Sequence, residues 1–335
     1  MFDQPSRTLS RRAALLGGVS LACVPALGRA QSRVPRGWAR AWPNTDFTSA
    51  SVPLNEIMSG GVGRDGIPAL DGAAYAPASQ DDGIPGQEPV LTVALEGAEE
   101  HAYPIRYLTW HEIVNHTIAG IPVAVTYCPL CNSALVFDRR VDRQVLTFGV
   151  SGNLRHSDMI MYDRETESWW QQFTGEAIVG TLMGAVLRTE VSWMESRDQF
   201  AARNPQGPVM AQPNYPRTYG RNPYRGYDTS SNPFLYRGEN PPHGIEPLMR
   251  VVRVGNRAWP MTRFENTTVI EEAGVRLSWE GTMASPLDRD AIWDGRDIGM
   301  IRVQDPKTGE DLVHEVVFAF AFHAFAPDGK WMLGN

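Results

Sequence analysis

The stretch Ile121-Pro122-Val123-Ala124-Val125-Thr126-Tyr127-Cys128-Pro129-Leu130-Cys131-Asn132 decides how this chain is read. Its first seven residues form an apolar, β-branched run, which suits a buried strand. That strand would present a C-x-x-C turn at its carboxyl end. Such a turn brings two sulfurs close enough either to bridge or to grip one metal ion. Pro129 stiffens the turn and removes a backbone donor. Working outward, residues 90–95 are strand-like, and Gly97 turns the chain into a second strand ending at Tyr103-Pro104. Residues 108–114 suit a short helix. Residues 133–138, 145–150 and 159–162 read as further short strands, and strand-like segments resume at 249–254. The apolar run 316–325 reads as a buried strand near the C-terminus.

These elements predict an α+β fold, mainly β, built as two lobes of short-stranded sheets. Residues 31–89, rich in Gly, Pro, Ala and Ser, form an extended N-terminal arm. Residues 90–203 are the first lobe and carry the C-x-x-C site. Residues 204–247, rich in Pro, Tyr and Gly, are a surface excursion or connection, and 248–335 are the second lobe. A degenerate internal repeat joins the lobes: Ala102-Tyr103-Pro104-Ile105-Arg106-Tyr107-Leu108 is similar to Ala258-Trp259-Pro260-Met261-Thr262-Arg263-Phe264. Two unrelated strands ending in aromatic–proline bends would give the same likeness. If the repeat is real, only the first lobe has cysteines, and the chemistry belongs there or at the seam.

The N-terminus reads as an address. Ser10-Arg11-Arg12, an apolar run over residues 13–27 and Gly28-Arg29-Ala30 resemble a twin-arginine export signal cut after Ala30. An ordinary secretion signal would send the protein the same way, to the periplasm or the cell exterior. The run is shorter than the roughly 18–20 residues needed to cross a bilayer, so no stable membrane span is expected. Cys23 lacks the aliphatic residue that precedes a lipidated cysteine by three positions. Removing residues 1–30 takes away four arginines and one aspartate, which moves the formal net charge from −7 to −10. That acidic balance argues against a nucleic-acid partner, which needs a basic footprint. Of the three cysteines only Cys128 and Cys131 survive processing, too few for a disulfide-stapled scaffold. Twin-arginine export of a folded protein also raises the expectation of a metal inserted beforehand.

Three readings of the cysteine pair compete. A structural disulfide would close a very small loop and remove little unfolded-chain entropy. A redox dithiol fits an exported C-x-x-C, but the βαβ context of a thioredoxin fold is absent from the pattern. A mixed-ligand metal site is favoured, because candidate ligands lie nearby in sequence. A four-cysteine site within one chain is excluded, so the metal must recruit His, Met, carboxylate or water. Trp110-His111-Glu112-Ile113-Val114-Asn115-His116 narrowly misses H-E-x-x-H. On a helix, residues i and i+5 point about 140° apart, so the two histidines would not converge as in a zinc protease. His111 is a candidate metal ligand and Glu112 a candidate catalytic base or orienting group. A buried histidine satisfied by a backbone carbonyl would be the plainer account of either His. Met159, Met161 and Asp163 share one strand face. A thioether beside two thiolates favours Cu(I), so copper is preferred over zinc with Met161 as a further ligand, although strand methionines commonly only pack.

Gly149-Val150-Ser151-Gly152-Asn153-Leu154-Arg155-His156-Ser157-Asp158 crowds polar groups into a glycine-punctuated loop suited to a binding rim. Gly61-Val62-Gly63-Arg64-Asp65-Gly66 has the letters of a dinucleotide fingerprint without a strand before it or a helix after it. Trp169, Trp170 and the Tyr-rich segment 215–236 leave open a non-enzymatic ligand-binding module.

The blocks Trp110–Asn115, Thr126-Tyr127-Cys128-Pro129-Leu130-Cys131-Asn132-Ser133-Ala134 and Phe148-Gly149-Val150-Ser151-Gly152-Asn153-Leu154 resemble the bacterial and archaeal "domain of unknown function 3179" family. Met161-Tyr162-Asp163, Trp170-Gln171-Gln172, Thr174-Gly175-Glu176-Ala177 and Asn222-Pro223-Tyr224 extend the likeness over roughly residues 60 to 330. The resemblance implies a shared site around Cys128 and Cys131, with His111 and Glu112 in a recurrent block. His116, His156 and His323 depart from the family pattern. The expected function is therefore an exported protein with a Cys-x-x-Cys metal site, in an oxidoreductase or metal-handling role on a small molecule or metal ion. A metal-free thiol–disulfide oxidoreductase is the alternative enzyme.

Overall fold

The computed structural model describes residues 34–334; the expected leader, residues 1–30, lies outside them. The arm contributes α1 (Arg36–Ala41), β1 (Ile57–Ser59), β2 (Leu70–Asp71) and β3 (Tyr75–Pro77). Then follow β4 (Pro89–Val93), β5 (His101–Pro104), α2 (Ile105–His111), β6 (Ile113–Ile118), β7 (Ile121–Cys128) and β8 (Ser133–Asp138). A small hairpin, β9 (Arg140–Val141) and β10 (Gln144–Val145), leads into β11 (Phe148–Arg155), β12 (Asp158–Asp163), β13 (Trp169–Gln171) and β14 (Glu176–Val179). The first half closes with β15 (Thr189–Glu190), β16 (Ser192–Ser196), α3 (Arg197–Arg203) and β17 (Pro208–Met210). The second half holds β18 (Arg250–Val254), β19 (Arg257–Pro260), β20 (Val269–Glu272), β21 (Val275–Gly281), β22 (Met300–Gln304), β23 (Glu315–Phe318), α4 (Ala319–Phe325) and β24 (Lys330–Trp331).

The fold is mainly β, and its five larger sheets stand in a propeller-like ring. Their orders are β1-β11-β12-β13-β14, β15-β8-β7-β6-β2, β16-β4-β5-β17-β3, β20-β21-β22 and β23-β18-β19-β24. The first meets the second where β11 packs on β6, and the second meets the third where β8 packs on β16. β16 packs on β22, and a core of Val252, Trp259, Leu277 and Val303 joins the last two sheets. Arg253 returns to the first sheet's chain by donating to Phe173 O at 3.0 Å. The arm is not merely draped over this ring: β1, β2 and β3 each complete the edge of a different sheet.

The internal likeness extends to a repeated unit. In each copy an antiparallel pair, β4–β5 or β18–β19, ends in a proline at φ −58° or −57°. A helical turn follows at once, α2 or the 3-10 turn Met261–Phe264. A three-stranded meander comes next, β6-β7-β8 or β20-β21-β22. The first hairpin of each meander turns on an Ala-Gly pair at positive φ: Ala119 (47°) and Gly120 (83°), Ala273 (50°) and Gly274 (77°). This backbone matches the right-handed twist of the flanking strands. A return strand, β16 or β23, pairs with the opening strand and runs into α3 or α4. The helices end in Asn204-Pro205-Gln206-Gly207 and Ala326-Pro327-Asp328-Gly329, and β17 and β24 then pair parallel to β5 and β19. The first copy alone carries the large insertion β9–β14.

Two local expectations need correction. The apolar run 316–325 is a strand only to Phe318 and then becomes α4. A continuous apolar run does not distinguish strand from buried helix, and Ala319, Ala321 and Ala324 favour the helix. The predicted helix 108–114 starts earlier, at Ile105, and ends at His111 because Glu112 adopts φ 59°.

Candidate metal centre

β7 is buried along nearly its whole length, as an uninterrupted apolar run requires. It delivers Cys128 as its last residue, paired across to Ser133 at the start of β8. Between them the chain reverses through Pro129–Asn132, with Cys131 N donating to Cys128 O at 3.3 Å and Asn132 N to Pro129 O at 3.2 Å. Asn132 takes φ 51°, a left-handed conformation that its short polar side chain tolerates. Both cysteines are free thiols, 2% and 0% exposed.

Asp158, the first residue of β12, completes a cluster with them. One sulfur from each cysteine and one carboxylate oxygen all lie within 4.8 Å of one another, and this group could hold a metal ion. The Asp158 carboxyl is fully buried. Its Oδ2 accepts from Gln171 Nε2 at 2.6 Å and from Phe173 N at 3.0 Å, while Oδ1 has no donor besides the neighbouring cysteine thiols. The neighbouring Gln171 Oε1 and Gln172 Oε1 are buried without donors. Buried acceptors are almost always satisfied, so this local surplus is what a cation would correct.

Electrostatics point the same way. Burial pushes both thiols up, most strongly Cys131, and the acidic neighbours push further. Asp158 rises to about 7, again chiefly through burial. Glu112 rises to about 8 through burial and repulsion by Asp158, opposed by a hydrogen bond from the Tyr224 hydroxyl. Four acidic groups thus stand close together in a low-dielectric setting, where protons or a cation must balance them.

Glu112 and Met159 also line a cavity of about 540 Å³. The roof is the segment predicted as a connection: Pro223, Tyr224, Tyr227 and Phe234 close over the C-P-L-C turn. Tyr227 OH donates to Leu130 O at 2.9 Å, and Ser157 Oγ donates to Phe234 O. One wall is the arm at Gly60 and Val62, which crosses β11 at Gly152 (φ 78°). A Cβ at residue 152 would stand 2.4 Å from Val62 O, so glycine is required for this crossing. The G-x-G letters of 61–66 therefore serve a backbone approach and open no helix.

The second copy of the repeat fastens the centre. Phe318 N donates to Cys131 O at 3.0 Å, Asn132 Nδ2 to Val316 O at 2.7 Å, and Ser133 Oγ to Glu315 Oε2 at 2.7 Å. Arg253 Nη1 bonds Glu315 Oε1 at 2.6 Å as well as Phe173 O. Its guanidinium lies 4.4 Å over the Phe173 ring. One arginine thereby holds the carboxylate that grips the sulfur turn and the residue whose amide holds Asp158.

Of the residues singled out from the sequence, Cys128 and Cys131 come together, and Met161 shares their apolar cluster. His111 is set apart: its Nδ1 is 2.7 Å from Pro68 O and its Nε2 is 2.6 Å from Tyr219 OH, so both ring nitrogens have partners within the protein. His116 is not on the helix of His111 but on β6, beside Tyr75 and Tyr103. Asp158 and Tyr224 escaped the sequence reading. Asp158 is one polar residue among many in its loop, and only the Asn222-Pro223-Tyr224 block hinted at the second.

Fold and site together define a mainly β protein with a repeated unit and one buried sulfur–carboxylate cluster. The family model described as "Protein of unknown function (DUF3179)" matches residues 64–329, most of the chain, so the protein belongs to that family. No curated protein and no solved structure matches it.

Proposed function

We propose that Cys128, Cys131 and Asp158 hold one thiophilic metal ion, and that this exported protein uses it on a small molecule in the adjoining cavity. The observation behind this reading is the buried cluster itself, in which the Oδ1 of Asp158 has no donor besides two free thiols. Two thiolates and a carboxylate form a donor set of intermediate softness. That shifts the preference from copper, favoured by Met161 in the sequence, towards zinc. Three protein donors leave a further position for water or a substrate atom, as in catalytic rather than structural zinc sites. Glu112, on the cavity wall and electrostatically coupled to Asp158, is the acid–base group of this reading. Two buried soft sulfurs also suit Cu(I), and with it an oxidoreductase, as the second reading. A thiol–disulfide oxidoreductase is less well supported, because a reactive cysteine needs an exposed, readily ionised sulfur.

The test is metal analysis of protein purified anaerobically from the exported fraction, in parallel with Cys128→Ser. One zinc or copper per wild-type chain, lost in the variant, is expected. Metal-free wild-type protein that also fails to take up Zn²⁺ or Cu(I) at equilibrium would overturn the reading.

A further inference from the structure

We infer that the cavity beside the cluster is a preformed site for an uncharged, largely apolar organic molecule carrying one polar group directed at Glu112. This names the substrate class for the proposed centre and rests on that reading only for its place in a reaction; the binding claim stands on the cavity itself. A volume of about 540 Å³ is within the range that encloses ligands of drug size. Val62, Ile67, Leu130, Val150, Met159 and Phe234 make its surface mostly apolar. The polar groups are few, with Glu112 and Tyr224 joined by a hydrogen bond. The single cationic side chain on the lining, Arg225, is solvent-exposed and screened, so the cavity's side chains offer an anion no buried counter-charge.

The roof is built rather than incidental. Asp228, immediately after Tyr227, is fully buried. Its Oδ2 accepts from Arg250 Nη2 at 2.9 Å and Ser285 Oγ at 2.6 Å. Asn222 Nδ2 donates to Arg289 O at 2.9 Å at the other end. With Tyr227 and Phe234 tied to the sulfur turn and to Ser157, the segment is pinned on both sides. An apolar chamber with a fixed roof needs little ordering to bind its ligand. Phe234, 48% exposed, places an aromatic ring at the edge of the lining.

The probe is N-phenyl-1-naphthylamine, uncharged with one N–H, titrated into full-length mature protein and followed by fluorescence. Saturable binding at one site per chain is expected, at least tenfold tighter than that of the anionic 8-anilinonaphthalene-1-sulfonate. Met159→Trp fills the chamber from its floor and should weaken the probe at least tenfold. Ser230→Trp does so from an exposed roof position that leaves the core intact. Cys128→Ser should lose metal but keep the probe, so failure of the metal reading and failure of this one are separate results. Absence of saturable binding, equal affinity for the sulfonate, or unchanged binding in the Ser230→Trp protein would overturn the inference.

Discussion

The two copies of the repeat diverge most at one equivalent point. In the first, β7 passes through the four-residue reversal Pro129–Asn132 into β8 and sets two sulfurs beside Asp158. In the second, β21 runs on from the matching Ala-Gly turn into the long loop 282–299 before β22. Thr282 stands as far beyond Gly274 as Cys128 stands beyond Gly120. The long loop has no sulfur–carboxylate cluster; its Ser285 and Arg289 grip the cavity roof at Asp228 and Asn222. Strand pairing depends on backbone geometry and apolar alternation, which both copies keep. Turns bear neither constraint and are free to acquire separate tasks. One copy makes the centre, while the other braces it through Arg253, Glu315 and the roof.

The sharpest way to break this division is substitution at the equivalent turn positions. Cys128→Ser should lower Zn²⁺ affinity by more than the roughly 10- to 100-fold typical of supporting residues. Thr282→Ala should leave it unchanged within about twofold, measured by competition with a chromogenic chelator. A comparable loss at Thr282 would show that the second copy takes part directly.

The bracing role is tested next. Arg253→Met leaves the buried Glu315 without its cation, which should cost about 3 kcal/mol of stability and roughly tenfold in metal affinity. Adding Glu315→Gln should recover most of the stability by removing the stranded charge. Denaturant melts and the chelator assay together check both halves of this expectation.

A smaller contrast concerns pH. His116 in β6 occupies the register that Ile270 holds in β20, counted from the Ala-Gly turns. Tyr75, Tyr103, His101 and Arg139 surround it, and burial lowers it to about 4. Between the unfolded value near 6.5 and about 4, the unfolded chain binds a proton that the native one refuses. Stability therefore falls as pH drops through that window, by on the order of 1–3 kcal/mol, and levels off below it. His116→Ile should flatten this part of the stability–pH curve. An unchanged slope in urea melts between pH 7 and 4 would assign the acid sensitivity elsewhere. The smallest effect should be common to both copies: Ala119→Gly and Ala273→Gly relieve a left-handed alanine. Each should add a few tenths to about 1 kcal/mol in thermal melts.

Legibility in the sequence followed the range of the interaction. β7 was readable because Ile121, Val123, Val125 and Thr126 make residues 121–127 a largely apolar run rich in β-branched side chains, and the C-x-x-C turn because its geometry is local. The repeat was readable at Tyr103-Pro104 and Trp259-Pro260, where proline fixes the backbone, but its extent was hidden by the insertion β9–β14. The helix α4 was misread because its apolar run has no period to arbitrate. His111 was adjacent to Glu112 in sequence, yet the left-handed turn at residue 112 sends the two side chains to different neighbours.

The sequence by itself determined the mainly β class, the family and the pair of sulfurs on one turn. All of these depend on composition, local periodicity or contiguous motifs. The tertiary structure decided that Asp158 rather than His111 joins the sulfurs, that segment 204–247 includes the roof of a cavity, and that the second copy supports the first. Those outcomes depend on burial and on hydrogen bonds between residues as far apart as Ser133 and Glu315, which no local pattern encodes.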